Sequence, residues 1–367
     1  MPALTLPSAW LTPQPPATAR TLPAACYVRD DIAALEVEHV FGASWQLVAR
    51  ADQLGGRGDH VVDAIGTVPL VIVRGEDDEL RALHNVCRHR AGPLATCDGR
   101  GARALTCKYH GWTYALDGQL RGAPEMREAA DFDPTQIRLP RALVDSWQGL
   151  VFAALTPTMP LPELLAGIEP RLAAEGHAVP FAQFRFARRV SYEIDCNWKV
   201  YVDNYLEGYH LPLVHPSLNR LLDYRSYRTE CAAWSSLQWS PLDAAAGPYG
   251  AGTALYWWLW PNMMLNVLPG RLQTNRVLPL SAQRCRVDFD YWYAPQAEAR
   301  AEDDLRFAEQ VQQEDVAICT AVQRGLASGS YASGRLNPLR EAGLAHFHNL
   351  WRAALRTPAA LAGAIET

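Results

Sequence analysis

The sequence has no glycine-rich dinucleotide fingerprint, no four-cysteine ferredoxin spacing, no internal repeat and no low-complexity tract beyond a proline-rich start. Lacking the first, the chain has no cradle for a nicotinamide cofactor and cannot itself take hydride from one. Excess positive charge is also missing. The formal net charge of −5 gives no general attraction to nucleic acid or to an anionic membrane. The first 25 residues hold six prolines and no positive segment leading into an apolar core, so they read as an extended arm rather than a signal peptide. One long stretch, residues 244–270, carries no charge, but Pro248, Pro261, Pro269 and four glycines would break a spanning helix repeatedly. Two buried strands joined by a turn fit it better. The expectation is a cytoplasmic protein with neither a membrane nor a nucleic-acid partner.

What is present suits a globular protein. The 367 residues are 49% apolar and 20% charged, enough for two domains of unequal size. The eight cysteines are Cys26, Cys87, Cys97, Cys107, Cys196, Cys231, Cys285 and Cys319. In a reducing compartment most would be buried free thiols, and a close pair accompanied by histidines points to metal. Residues 42–155 show short apolar alternations such as Trp45–Val48 and Val68–Val73, with Asp117-Gly118 as a hairpin turn. They read as an all-β unit preceded by an N-terminal arm and helix, 1–41. A proline-rich linker, Thr156 to Pro162, opens the remaining 156–367. There the pattern predicts a helix after Pro162, strands near 184–194, 229–240 and 253–294, a helix near 197–207 and a long helix near 297–326. That is an α+β layout with an antiparallel sheet.

The first site is carried by Cys87-Arg88-His89 and, after a spacer of 17 residues, Cys107-Lys108-Tyr109-His110. A Rieske [2Fe–2S] centre holds one iron by two thiolates and the other by two imidazoles. Two loops that each give one Cys and one His suit it. A structural zinc site would more often pair Cys with Cys and His with His within each half. Cys97, between the loops, reads as a plain thiol. The strings Cys87-Arg88-His89-Arg90 and Cys107-Lys108-Tyr109-His110-Gly111-Trp112, then Leu116-Asp117-Gly118, resemble the Rieske domain of ring-hydroxylating oxygenase α subunits.

A second site lies further on. Residues 197–207 are helix-compatible, with Asp195 as a possible N-cap and Gly208 as a stop. On an unbroken helix His210 and His215 would point about 140° apart. They converge only if the helix breaks, and Pro212 is the expected break. Two such histidines suit the 2-His-1-carboxylate facial triad of mononuclear iron, which leaves open positions for O2 and substrate. The carboxylate is sought in the long helix, where Leu305, Ala308, Val311, Ile318, Val322 and Leu326 form an apolar stripe. Asp315 falls on it, Glu314 lies at its edge and Asp304 shares its angle; periodicity leaves all three open. Solvated-face carboxylates are the plain reading for Asp304 and Glu309, as surface histidines are for His346 and His348.

The resemblance extends to Asn204–Pro216, to Glu314-Asp315 and to the region around Gly334–Glu341, and it favours Asp315 as the third iron ligand. It implies a Rieske domain ahead of a helix-grip catalytic domain, and terminal oxygenase activity using O2. Electrons originating in NAD(P)H would arrive through a separate flavin- or ferredoxin-type reductase. It also implies a head-to-tail homotrimer in which an acidic residue before the first iron histidine bridges to the Rieske histidine of a neighbour. Glu207 occupies that position, with Asp203 as its rival. Arene dioxygenases often have Asp there; Glu207 resembles the choline and carnitine monooxygenase group. That likeness implies oxidation of a small quaternary ammonium or N-methyl compound, with aromatic rings or acids as the alternative. Tyr256, Trp258 and Trp260 on one strand face, with Trp257, Trp234 and Trp239 nearby, are candidate aromatic contacts or simply core. A Rieske electron carrier or a helix-grip ligand-binding module remains the reading from another class.

Overall fold

The computed structural model describes residues 6–177, 179–243, 249 and 251–356, and its contacts divide the chain into two compact units. One is Phe41–Thr158; the other joins Met1–Val40 to Met159–Ala359.

The first unit is all β apart from short turns of 3-10 helix. Strands β1 (Gln46–Arg50), β2 (His60–Ile65), β3 (Val68–Arg74), β4 (Leu80–His84), β8 (Arg141–Trp147) and β9 (Leu150–Ala154) form an antiparallel sheet ordered β1-β9-β8-β4-β3-β2. A second, three-stranded sheet joins β5 (Leu105–Thr106), β6 (Thr113–Tyr114) and β7 (Leu120–Gly122). The continuous apolar run in β3 has a packing reason. Leu70 and Ile72 enter one core while Val71 and Val73 enter another, because alternate side chains face opposite sides. The second core also contains Cys87, Cys107, Trp112 and Tyr114. At the β6–β7 hairpin Gly118 takes a φ of +90°, a conformation that favours glycine over residues with a Cβ.

The second unit is built on a seven-stranded antiparallel sheet. Its strands are β10 (Arg185–Ile194), β11 (Arg228–Cys231), β12 (Ser235–Pro241), β13 (Thr253–Leu259), β14 (Met263–Leu268), β15 (Arg271–Ser281) and β16 (Arg284–Tyr293), ordered β10-β16-β15-β14-β13-β12-β11. Five helices matter for the site: α1 (Trp198–Tyr205), α2 (Leu211–Val214), α3 (Pro216–Leu221), α4 (Ala301–Ala327) and α5 (Ala342–Arg356). This is an α+β fold of helix-grip type. The uncharged stretch forms β13 and β14, with residues 244–248 and 250 outside the described ones. No helix among the described residues is long and apolar enough to cross a membrane.

Several local expectations are corrected. Asn197, not Asp195, caps α1, its side chain accepting the Lys199 N–H at 2.9 Å. Asp195 is exposed and faces Arg284. The helix ends at Tyr205, before Gly208, where an added Cβ would strike the Tyr227 ring. Pro212 does not break a helix; it sits in the first turn of α2, where its missing N–H costs nothing. His348 is fully buried and bonds Asp203 at 2.9 Å and the Tyr27 hydroxyl at 3.2 Å, so it is no surface histidine. His346 is partly buried. The stripe on α4 also differs. Asp304, Gln312, Cys319 and Gln323 are buried, whereas Val322 is exposed.

α1 is anchored from beneath. Lys199 Nζ lies 2.5 Å from Glu36 Oε1, and both side chains are fully buried. The Trp198 and Trp351 indoles donate to the same carboxylate at 2.8 and 2.6 Å. Such a buried charge pair is tolerable only when its remaining lone pairs are occupied, as here.

Candidate metal centres

Two matching turns carry the Cys-His motifs. The Ala91 N–H donates to the Cys87 carbonyl and the Gly111 N–H to that of Cys107, both at 2.9 Å. The Cys87 N–H donates to Gly92 and the Cys107 N–H to Trp112, also at 2.9 Å. Each turn thus folds back on its cysteine and carries one histidine at its tip. The rings of His89 and His110 lie 4.6 Å apart, and His89 stacks on Trp112 at 4.8 Å. Gly92 is required by close approach, since a Cβ there would come within 2.8 Å of Cys107 Sγ. The Tyr114 hydroxyl stands 3.4 Å from Cys87 Sγ and accepts the Arg88 N–H at 2.9 Å. Desolvation, with the charges of His89 and Arg90, lowers the His110 pKa. Cys97 is exposed.

In the second unit, ligand atoms of His210, His215 and Asp315 lie within 4.8 Å of one another. His210 precedes α2 and His215 joins α2 to α3, so two short helices in succession turn both rings inward. The rings are 5.0 Å apart, at 73°. Asp315 reaches His215 Nε2 at 3.0 Å and receives the Asn204 amide at 2.6 Å. The outer ring nitrogens meet carboxylates: Glu207 Oε1 lies 2.5 Å from His210 Nδ1, and Glu314 Oε2 lies 2.7 Å from His215 Nδ1. Burial alone would lower the His215 pKa, but the Asp315 and Glu314 carboxylates outweigh it and raise it. The field therefore favours positive charge at this point.

The other carboxylates separate cleanly. Asp304 is buried rather than solvated: Arg271 lies 3.0 Å away, and the Tyr293 and Tyr249 hydroxyls donate to it. Glu309 is exposed and accepts the Tyr192 hydroxyl. Asp203 takes the Tyr27 hydroxyl at 2.6 Å and bonds His348.

A cavity of about 130 Å³ opens at His210, His215 and Asp315. Its aromatic walls include Tyr205, Tyr227, Tyr249, Tyr256, Phe289 and Phe307. Of the expected strand aromatics only Tyr256 lines it. Trp258 and Trp260 pack on Phe347 of α5, at 5.4 and 6.1 Å, while Trp234 and Trp239 donate to Glu163 and Glu230. The other cavity aromatics come from separate elements, with no shared periodicity to mark them. Asn204 entered the sequence reading only as part of the Asn204–Pro216 resemblance, and Gln312 carries no sequence signal of its own.

The Rieske [2Fe–2S] domain family matches residues 44–140, and the catalytic domain of the ring-hydroxylating α subunits matches residues 181–357. The choline monooxygenase of Arabidopsis thaliana is 35% identical over 351 residues, covering 90% of this chain and 82% of the relative. The carnitine monooxygenase oxygenase subunit of Escherichia coli K12 is 30% identical over 357 residues, covering 91% and 94%. The chain belongs to the Rieske ring-hydroxylating oxygenases. A solved quaternary ammonium Rieske monooxygenase, described in terms of carnitine oxidation and inter-subunit electron transfer, superimposes with a TM-score of 0.85 at 26% identity, over 96% of this chain and 99% of the other.

A terminal oxygenase of this family carries a [2Fe–2S] cluster and a mononuclear iron, and the residues present fit both. His89 Nδ1 is buried without a hydrogen-bond partner, an orphan that a metal bond would satisfy. Among the described residues only His210, His215 and Asp315 make a set close enough for one ion. Cys87, His89, Cys107 and His110, one thiolate and one imidazole from each turn, are the donor set that a Rieske cluster takes.

Proposed function

We propose that this Rieske oxygenase hydroxylates a C–H bond beside nitrogen in a small quaternary ammonium or N-methyl compound, the product collapsing to a dealkylated amine and an aldehyde. The observation that carries this is the aromatic cavity opening at His210, His215 and Asp315. A quaternary ammonium has no N–H to donate, and ring faces hold it at about 0.5–2 kcal/mol per contact. The named activities of the choline and carnitine monooxygenases support the same class.

In this reading Cys87, His89, Cys107 and His110 hold the cluster, and His210, His215 and Asp315 hold the iron. When bound, the cluster supplies electrons one at a time, and the iron supplies the reductive chemistry of O2. Glu207 and Glu314 fix the outer ring nitrogens, so that the inner ones face the metal position. Asn204 steadies Asp315. Leu211, Leu218 and Phe307 exclude water from the reacting carbon.

We infer that the copies form a head-to-tail trimer with Glu207 as the bridge between subunits. A surface cavity of about 460 Å³ contains Asp203, Glu207, His210 and Glu341. The Rieske tip exposes Arg88, Arg90, Lys108 and Tyr109, a complementary charge. Asp203 is already engaged by Tyr27 and His348, which favours Glu207. A separate flavin- or ferredoxin-type reductase supplies the electrons, and a reducing compartment such as the cytoplasm suits eight cysteines of which none is paired in a disulfide.

The test reconstitutes the enzyme with a reductase and offers choline, betaines, carnitine and aromatic acids, following formaldehyde, other aldehydes and phenols separately. Dealkylation or aldehyde formation from an ammonium compound is expected. The cavity's Leu211, Leu218 and Leu222 would also suit an arene ring, and turnover confined to aromatic acids would hand the case to that reading.

A further inference from the structure

Strand β15 places Arg271, Gln273 and Asn275 on one face, two residues apart, and all three line the cavity. Each is at least nine-tenths buried, unusual for side chains of this polarity unless they are paired or meet a ligand. Their hydrogen bonds run in one direction. A guanidinium can only donate, so the Gln273 oxygen must face Arg271 Nη2. That turns the Gln273 nitrogen toward Asn275, whose Oδ1 accepts it at 2.7 Å. The amide orientations are therefore set by the guanidinium and not by choice.

Asp304, on α4, pairs with the first member of this row. Arg271 Nε lies 3.0 Å from its Oδ2, and Nη1 donates to its Oδ1 at 3.0 Å and to the Tyr249 hydroxyl at 3.2 Å. Arg271 lines the cavity and Asp304 does not. The second Nη2 hydrogen, the second Gln273 amide hydrogen and the Asn275 amide have no partner among the described residues. Gln312 of α4, which also lines the cavity, adds an independent sign. Its Oε1 accepts the Tyr201 hydroxyl at 2.8 Å, while its buried Nε2 has no partner. The uncommitted groups of this wall are N–H donors.

We propose that this row is a carboxylate subsite, so that the substrate is a betaine, an ammonium joined to a carboxylate, and not an amino alcohol. The proposal rests on the ammonium reading above and deepens it. The carboxylate receives N–H donors from Arg271, Gln273, Asn275 and Gln312, while the ammonium pole lies against the aromatic faces. Charge-assisted hydrogen bonds of this kind are the strong ones, and an alcohol cannot match them.

The experiment is calorimetric titration of the holoenzyme with trimethylglycine, γ-trimethylaminobutyrate, choline and tetramethylammonium. At least one carboxylate compound is expected to bind ten-fold or more tighter than choline. Asn275→Leu and Gln312→Leu keep the Arg271–Asp304 pair whole; each should shrink that preference about five-fold or more, with thermal unfolding checking the fold. Choline binding as tightly as every betaine to the wild type overturns the subsite, as does an undiminished preference in both folded variants. If no ammonium compound binds, the ammonium reading itself has failed, and benzoate against benzyl alcohol then tests the row. A benzoate preference that the variants erase keeps the subsite, and its absence removes it.

Discussion

Glu314 Oε2 lies 2.7 Å from His215 Nδ1, leaving the other ring nitrogen to face Asp315. A carboxylate in that position fixes the tautomer and orientation of a metal-binding imidazole. Glu314→Ala should lower iron affinity about 10–100-fold, the usual cost of losing such a partner. Iron retained against a graded chelator series measures it, with the Rieske absorption unchanged. Retention equal to the wild type would deny Glu314 this role.

Cys87→Ser and His110→Ala should each abolish the Rieske absorption, since no neighbouring group can replace the lost ligand. Iron content should fall from about three per chain to about one, the mononuclear site being spared. A coloured variant with full iron would place the cluster elsewhere.

Asp315→Ala should leave the Rieske spectrum intact while product formation falls to background, because only the mononuclear site loses a ligand. Asp304→Ala should behave differently. It strands the buried Arg271 and should cost about 3–5 kcal/mol, visible as earlier thermal unfolding of the iron-loaded protein. Interchanged phenotypes would reverse the assignment of the two aspartates.

Glu207→Gln should retain both metals and slow reoxidation of the reduced cluster in a single turnover with substrate and O2, since the bridge loses its charge. Asp203→Asn disturbs instead the contacts to Tyr27 and His348, so its effect should be on stability. A normal reoxidation rate in Glu207→Gln would move the bridge away from that residue.

By itself the sequence determined what lies close along the chain. His89 stands two residues from Cys87 and His110 three from Cys107, so each turn assembles its half of the Rieske motif locally. Strand and helix periods exposed the antiparallel sheet and the long α4, because alternation and helical repeat are local properties. The tertiary structure alone decided among side chains that share a face. Asp304 and Asp315 point along similar angles of α4, yet one meets Arg271 on β15 and the other meets His215 and Asn204. Likewise Trp258 goes to Phe347 while Tyr256, on the same strand face, reaches the cavity. The partners that settle these cases lie far along the chain, and a buried carboxylate or ring takes its role from whichever group folding brings against it.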